Sequence, residues 1–288
     1  MTVRIITDSA SDITADEVEA AWPNLKVLPL TVSFGDDVYQ DGVTLTHRRF
    51  YELLVECDEL PKTGQVNPYA FAAAIREARD VGDEVVVITL SSKLSGTHES
   101  AMSAAAEFGE GVYVVDSGNV CVGERILVEY ALRLAADGLA AADIATALDQ
   151  AKGDVFVVAL LDTLEYLRRG GRVPATAAAV GQLLAIKPVI AIEDGEVVIL
   201  GKARGSKNGR NLLAQQVEQA GGIDFSMPLA LGFTGLDCSL LEKYIEDSHG
   251  LWDKAVRRGQ LPVHRVGATI GTHVGPGAIA LGFFKLPE

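Results

Sequence analysis

Short apolar runs alternate with longer amphipathic segments along the chain. Runs of valine, isoleucine and leucine at residues 3–6, 84–90 and 155–161 predict buried β-strands. Helix-length segments with apolar residues on one face lie between such runs, for example at residues 68–79 and 124–136. Strands that alternate with helices favour an α/β fold that contains a mainly parallel sheet.

The second half of the chain predicts a different sheet. Residues 187–193 and 196–202 have the pattern of two strands, and the Asp194-Gly195 pair between them is typical of a tight antiparallel turn. We therefore predict two α/β domains. Residues 1–154 form the first, a mainly parallel sheet flanked by helices, and residues 155–288 form the second, a mixed sheet with helices.

Several local patterns carry further predictions. Residues 26–34 and 263–269 are each predicted to form one strand. Residues 175–184 and 251–258 are predicted to form helices, and Ser206 is predicted to cap another helix.

Composition narrows the functional classes. The chain has 288 residues, 48% hydrophobic and 22% charged, which is typical of globular proteins and excludes disordered and fibrous classes. Its formal net charge of −14 repels duplex DNA and anionic membranes, so we expect no nucleic-acid partner. The charge is uneven, however, since residues 1–167 carry a net −17 and residues 168–210 carry a net +5.

The sequence also bears on compartment and cofactors. No segment has the roughly 20 continuous apolar residues of a transmembrane helix, and Asp8 and Asp12 fall where the apolar region of a secretory signal would lie. Cys57, Cys121 and Cys238 form no CxxC pair, which indicates reduced thiols and neither a disulfide framework nor a zinc site. We therefore expect a cytoplasmic protein with no metal and no other cofactor.

Three predicted strands of the first half end in turns rich in hydroxyl and carboxylate groups, at residues 7–9, 91–97 and 116–117. Ligands of open parallel sheets bind beyond the carboxyl ends of the strands, so these turns predict a binding crevice. The alternative is that each turn only caps the helix that follows it. The candidate ligand contacts in these turns, besides Ser95, are Ser92, Gly96, Thr97, Asp116 and Ser117.

The turn at residues 91–97 is the densest of the three. Gly96 lets the backbone approach a ligand closely, the following helix N-terminus favours an anion, and the hydroxyls of Ser95 and Thr97 can donate hydrogen bonds. The turn contains neither the GxxxxGK[ST] phosphate loop nor the GxSxG nucleophile elbow.

Two residues elsewhere are further candidates. Thr63 lies at residues 62–65, a segment predicted to open a helix, and is either a second hydroxyl donor or a turn residue. His273 lies at residues 271–277, where two glycines around a proline constrain the chain. A structural histidine bonded to backbone is the alternative for His273. The five histidines show no spacing typical of a metal site.

Together these segments resemble the DegV family of bacterial fatty-acid-binding proteins. The matching segments, in chain order over essentially the whole sequence, are TDSASD at 7–12, KTGQ at 62–65, LSSKLSGT at 90–97, DS at 116–117, TLEYLRRGGR at 163–172, IKP at 186–188 and GTHVGPG at 271–277.

The resemblance implies a long-chain fatty acid buried between two α/β domains, with its carboxylate held by Thr63, Ser95 and His273. It also implies that the chain is the acyl-carrying subunit of a two-part fatty acid kinase and has no catalytic residues of its own. A separate ATP-dependent subunit would then form the acyl phosphate for phospholipid synthesis. Gly64 stands where the family commonly has a second hydroxyl, so no contact is implied from position 64.

The basic segment at 168–210 suggests where such a kinase would dock. Complementary charge speeds association and fixes orientation, and a solvated loop surface is the alternative. The candidate kinase contacts are Arg168, Arg169, Arg172, Lys202 and Arg204.

The residues alone leave other functions open. A stand-alone hydrolase of acyl esters would use Ser95 and His273 with Asp8 or Asp116. A sugar- or nucleotide-binding domain would need aromatic platforms or a phosphate loop, and aromatic residues make up only 6% of the chain. A purely regulatory interaction protein is also compatible with the sequence. We expect a monomer.

Overall fold

The computed structural model describes residues 2–57, 59–173, 186–256 and 261–287, with side chains excluded at 253–256. The helix predicted at residues 175–184 lies outside the described residues, and so does the end of the helix predicted at 251–258.

The described residues form strands and helices in close alternation. The strands are β1 (Val3–Asp8), β2 (Leu25–Leu28), β3 (Thr31–Phe34), β4 (Asp37–Gln40), β5 (Lys62–Gly64), β6 (Glu84–Thr89), β7 (Val112–Asp116), β8 (Val155–Leu160), β9 (Ile186–Glu193), β10 (Glu196–Arg204), β11 (Leu229–Phe233), β12 (Val263–Arg265) and β13 (Ile279–Phe284). The helices are α1 (Ala15–Ala21), α2 (His47–Glu56), α3 (Pro68–Asp80), α4 (Thr97–Ala105), α5 (Val122–Ala136), α6 (Ala141–Ala151), α7 (Glu165–Arg169), α8 (Ser206–Gln219), α9 (Ser239–Asp247), α10 (His249–Val256) and α11 (Ala268–Val274).

The first large sheet is parallel and has the strand order β2-β1-β6-β7. Its central strands are continuous apolar runs because helices α3, α4, α5 and α6 pack against them. The carboxyl ends of β1, β6 and β7 are neighbours, which brings the three polar turns to one edge of the sheet. This part of the predicted architecture is confirmed.

The second large sheet is mixed, with the order β10-β9-β8-β13-β11-β12. Strands β11 and β12 run parallel and the other neighbours run antiparallel. Asp194 and Gly195 both have positive φ, 50° and 80°, which is the conformation of a type I′ turn between β9 and β10. The predicted mixed sheet and its hairpin are therefore confirmed.

A third, small sheet, with the order β4-β3-β5, corrects two predictions. The single strand predicted at residues 26–34 is two strands in different sheets, because Pro29 between them has no N–H to donate to a ladder. The segment at 62–65 does not open a helix. It forms β5, opposite β3, and helix α3 begins at Pro68 after Asn67, whose side chain accepts from the N–H of Tyr69 at 2.8 Å.

Two predictions in the second half are also wrong. The segment at 263–269 is not one strand, since β12 ends at Arg265 and helix α11 begins at Ala268. Ser206 does not cap α8. It is the first residue of that helix, and Gly205 precedes it without any side-chain capping bond.

One hydrophobic core connects the two large sheets. Helix α5 packs against β1 of the first sheet and against β11 and β13 of the second. Gly282 on β13 permits this contact, because a Cβ there would lie 2.9 Å from the backbone of Val122. The predicted boundary after residue 154 falls just before β8, and the division into domains stays a prediction. Among the described residues, no helix is long and apolar enough to cross a membrane.

Candidate functional site

A cavity of about 380 Å³ lies between the two large sheets, within the size range of small-molecule sites. Gly232, Ala280, Ala159 and Ile190 stand side by side on four neighbouring strands and all line it. The open space follows from this row, because three of the four residues have a methyl group or no side chain. Residues of the first sheet's turns complete a mostly apolar wall, for example Leu90.

Thr63 and His273 meet at this cavity although 210 residues separate them in the chain. Thr63 lies on β5 of the small sheet and His273 lies in the last turn of α11. Thr63 Oγ1 is 2.9 Å from His273 Nε2, and both residues line the cavity. Residues 271–274, with the sequence GTHV, belong to helix α11. The tight path predicted from the two glycines begins only at Gly275, whose φ is 72°.

Ser95 lies on the same cavity wall, in the turn between β6 and α4. Ser95 Oγ accepts from the N–H of Thr97 at 3.3 Å and lies 3.0 Å from Thr97 Oγ1. Thr97 Oγ1 in turn accepts from the N–H of Val66, just beyond β5, at 3.3 Å. These bonds hold the turn against the strand that carries Thr63. The structure thus brings Thr63, Ser95 and His273 to one cavity.

Gly96 lines the cavity beside Ser95 and fits tightly. A Cβ at Gly96 would lie 2.2 Å from Gln65 Oε1, and Gln65 is fixed by a 2.7 Å bond from its Nε2 to Ser100 Oγ. A side chain at position 96 would therefore displace the Gln65 amide from this position.

The imidazole of His273 is mostly buried and uncharged at neutral pH. Burial, with a smaller contribution from the Arg172 charge, lowers the pKa of His273 from 6.5 to about 4. Its Nδ1 is buried without a hydrogen-bond partner among the described residues, and the ring packs directly against Gly170. A neutral ring leaves one nitrogen as donor and one as acceptor.

Arg172 was predicted as a kinase contact, and the structure places it at the cavity. Its Nε donates to the carbonyl of Leu94 at 3.2 Å and its Nη1 donates to the carbonyl of Gly170 at 2.6 Å. Among the described residues that line the cavity, Arg172 is the one with a permanent charge. A buried anion needs a counter-charge. This requirement could have identified Arg172 as a cavity residue, but the sequence analysis did not use it.

A groove outside the cavity shares Leu94, Ser95, Gly96, Arg172 and Val197 with it. Ser92, a candidate ligand contact, lies in this groove and not at the cavity. Of the basic candidates, Lys202 also lines the groove, and Arg204 is exposed two residues further along β10. Arg168 and Arg169 form exposed ion pairs with Glu165 on α7.

The remaining turn residues do not line the cavity. Partial burial acts to raise the pKa of Asp116, but hydrogen bonds from Ser92 and Gly118 dominate and lower it. Ser117 donates to the carbonyl of Asn119. Thr97 is fully buried and acts through Ser95. Of the three polar turns, only the one at residues 91–97 places a hydroxyl group, that of Ser95, at the cavity.

The geometry does not supply a hydrolytic triad. Ser95 Oγ bonds to Thr97, and His273 Nε2 bonds to Thr63. Asp8 accepts from the N–H groups of Ala10 and Leu90 and makes no contact with His273. Within the described ranges, no group of three or more histidine, cysteine or acidic side chains is arranged to hold a metal ion.

Comparison with known proteins gives one consistent result. Residues 2–286 match the family model described as an uncharacterised protein of the DegV family. A DegV domain-containing protein of Deinococcus radiodurans is 33% identical over 298 aligned positions, which cover 99% of each chain.

Solved structures agree with this match. A structure described as fatty acid binding of a DegV family protein from Thermus thermophilus is 30% identical, with a TM-score of 0.86 over 99% of this chain and 100% of that one. The fatty acid kinase B3 protein of Streptococcus pneumoniae, loaded with linoleic acid, shares the fold at 21% identity, with a TM-score of 0.83 and 99% coverage of both chains.

Proposed function

The chain belongs to the DegV family, and we propose that it binds one long-chain fatty acid in the cavity between its two large sheets. The observation that carries this proposal is an apolar cavity with Thr63, Ser95, His273 and Arg172 on its wall. The fatty acid bound by the Thermus thermophilus relative supports the same ligand class.

The acyl chain supplies most of the binding energy. Burial of each CH₂ stabilises a complex by about 0.8 kcal/mol, so a long chain contributes on the order of 10 kcal/mol before the cost of ordering it. The row of small residues Gly232, Ala280 and Ala159 provides the space for this chain.

The carboxylate requires hydrogen bonds and a counter-charge once water is removed. With Nε2 protonated, neutral His273 donates to Thr63 Oγ1 and frees the Thr63 hydroxyl to donate to the ligand. Ser95 supplies a second hydroxyl, and the Arg172 guanidinium supplies a positive charge. The head group is thereby held by donors from both halves of the chain.

Extraction of lipid from the protein purified from bacteria tests the proposal. We expect gas chromatography to detect one long-chain fatty acid per chain, and we expect delipidated protein to take up added palmitate or oleate. Absence of both would refute the proposal.

Substitution of Thr63 tests the head-group contacts. Thr63→Val keeps the shape of the side chain, removes its hydroxyl and should weaken palmitate binding roughly 10-fold or more. The matched control is Thr146→Val on α6, whose exposed hydroxyl donates only within its own helix, and it should bind normally. Equal affinity for both variants would contradict the assigned contact.

We further propose that the chain is a monomeric cytoplasmic subunit that presents its fatty acid to a separate ATP-dependent kinase and has no catalytic activity of its own. The exposed Lys202 and Arg204 near the groove support an acidic partner there, and the kinase designation of the Streptococcus pneumoniae structure suggests which partner. Arg204→Ala should reduce acyl phosphate formation by such a kinase while bound lipid stays unchanged. Loss of lipid in this variant would instead place Arg204 in the binding site.

A further inference from the structure

Helix α11, which carries His273, is held at its N-terminus by two buried carboxyl groups. Asp12 Oδ1 accepts from the N–H of Gly267 at 2.7 Å. Asp41 accepts from the N–H of Ala268 through Oδ1 and from that of Thr269 through Oδ2, both at 3.0 Å. Three successive amide groups that α11 cannot satisfy internally are thus bound by side chains from the first half of the chain.

These contacts join residues that are far apart in the sequence. Asp41 is 227 residues from Ala268, and Asp12 is 255 residues from Gly267. A residue next to a helix can cap it at little cost, whereas two buried carboxyl groups are expensive to remove from water. The arrangement therefore serves to fix α11 against another part of the molecule, and not only to end the helix.

The small sheet connects this contact to the cavity. Asp41 directly follows β4, and its N–H donates to the carbonyl of Leu30, just before β3. Thr63 lies on β5, on the other side of β3. One three-stranded sheet therefore carries both the cap of α11 and the hydrogen-bond partner of His273.

Helix α2 packs against α11 so closely that α11 has little room to shift. A Cβ at Gly271 would lie 2.5 Å from the ring of Phe50 and 2.7 Å from the hydroxyl of Tyr51. His273 follows Ala268 by five residues, about 7.5 Å along the helix axis. A shift of the capped end is thus transmitted over less than two helical turns to the imidazole.

We propose that Asp41, together with Asp12, is a positioning residue that sets α11 on the small sheet so that His273 Nε2 meets Thr63 Oγ1. The inference rests on the proposed fatty-acid site and extends it. Asp41 acts through α11 and touches no ligand.

The test compares Asp41→Asn, Asp41→Ala and Asp12→Asn in the full chain, without ligand and loaded with palmitate. Asparagine keeps one acceptor oxygen and alanine keeps none. We expect palmitate to dissociate several-fold faster from Asp41→Asn and faster still from Asp41→Ala. We also expect the ¹⁵N resonances of the His273 ring to move in both variants, with and without palmitate.

The matched control is Asp83→Asn, which removes a buried carboxylate that binds Thr2 and Arg4 away from the cavity. Equal thermal destabilisation in Asp83→Asn and Asp41→Asn, with faster release and altered His273 resonances only in the latter, supports positioning. Unchanged His273 resonances in Asp41→Asn would overturn it. Should Asp41→Ala fail to fold, Asp41→Asn and Asp12→Asn decide the question.

The ring resonances also separate this inference from the proposed function. If the wild-type protein binds no palmitate but the His273 resonances still move in Asp41→Asn, the fatty-acid proposal fails and the positioning role stands. If palmitate binds and the resonances do not respond, the positioning role fails alone.

Discussion

Substitution of Gly170 by alanine perturbs the site without removing any polar group. A Cβ at Gly170 would lie 2.3 Å from His273 Nδ1 and 3.0 Å from Cε1. On its other side the ring is 2.9 Å from Thr63 Oγ1. The imidazole is therefore confined between Gly170 and Thr63 and cannot yield by a simple translation. The backbone of Gly170 is itself ordinary, with φ of −71°, so alanine introduces no conformational strain.

These contacts determine how much Gly170→Ala should change stability and palmitate affinity. Overpacking of a filled site costs about 1–3 kcal/mol, and alanine returns up to about 1 kcal/mol by restricting the unfolded chain. The free energy of unfolding should consequently fall by at most about 3 kcal/mol. If the ring turns away from Thr63, the ligand loses a hydrogen-bonding arrangement to a charged group worth about 1.5–3 kcal/mol, which weakens palmitate binding roughly 10- to 150-fold.

Displacement of a fluorescent fatty acid by palmitate, with a melting curve of each protein, measures both effects. Gly153→Ala is the matched control, because a Cβ there meets no atom within 4 Å and its φ is not positive. We expect normal binding by Gly153→Ala and weak binding by Gly170→Ala, whose melting temperature should fall by no more than several degrees. Wild-type affinity in Gly170→Ala would refute the role of His273 as a fixed part of the head-group site.

Three further predictions concern Arg172, His273 and Glu124. Arg172→Gln should weaken palmitate binding roughly 10-fold or more but leave binding of hexadecanol, which has no charge, unchanged; equal loss of both ligands would indicate a packing role. The unfolded chain protonates His273 between pH 6.5 and 4 while the folded chain does not, so its contribution to stability is complete above pH 6.5 and falls by about 1.4 kcal/mol per pH unit down to about pH 4. In urea unfolding, the stability of His273→Gln should therefore fall less steeply than that of the wild type over this range, by about that slope. Burial, reinforced by the nearby Asp8 charge, raises the pKa of Glu124 well above 4.5, so this carboxyl group destabilises the fold at pH values where the unfolded chain ionises it. Glu124→Gln should therefore have a higher melting temperature than the wild type at pH 8 and the same one near pH 4. A lower melting temperature at pH 8 would contradict this.

Local sequence patterns correctly predicted the strands and turns that depend only on their own residues. The valine-rich β6 and the Asp194-Gly195 hairpin follow from apolar runs and turn chemistry. The first two residues of helix α11, Ala268 and Thr269, were predicted as the end of a strand. The helix N-terminus is capped by Asp12 and Asp41, and no nearby sequence signal shows that contact. The break at Pro29 could have been predicted, since proline is excluded from the interior of central strands.

In the candidate site, too, local features could be predicted from the sequence and long-range contacts could not. The turn at residues 91–97 was identifiable from its hydroxyl groups and its place after a strand. The contact between Thr63 and His273 depends on the docking of a small sheet and a distant helix, so the residues alone could not establish it. Arg172 was assigned to the surface because its charge lies in a basic segment, whereas its neighbours Gly170 and Leu94 turn it to the cavity.

The carbon-13 resonance of [1-¹³C]palmitate bound to the protein tests the central claim most directly. A carboxylate held by Thr63, which His273 orients, and by Ser95 and Arg172 should give one bound signal that does not titrate across neutral pH. The signal should shift in Thr63→Val and in Ser95→Ala, and stay unchanged in Thr146→Val. A bound signal that is identical in all four proteins would place the carboxylate elsewhere, and the absence of any bound signal would contradict the account as a whole.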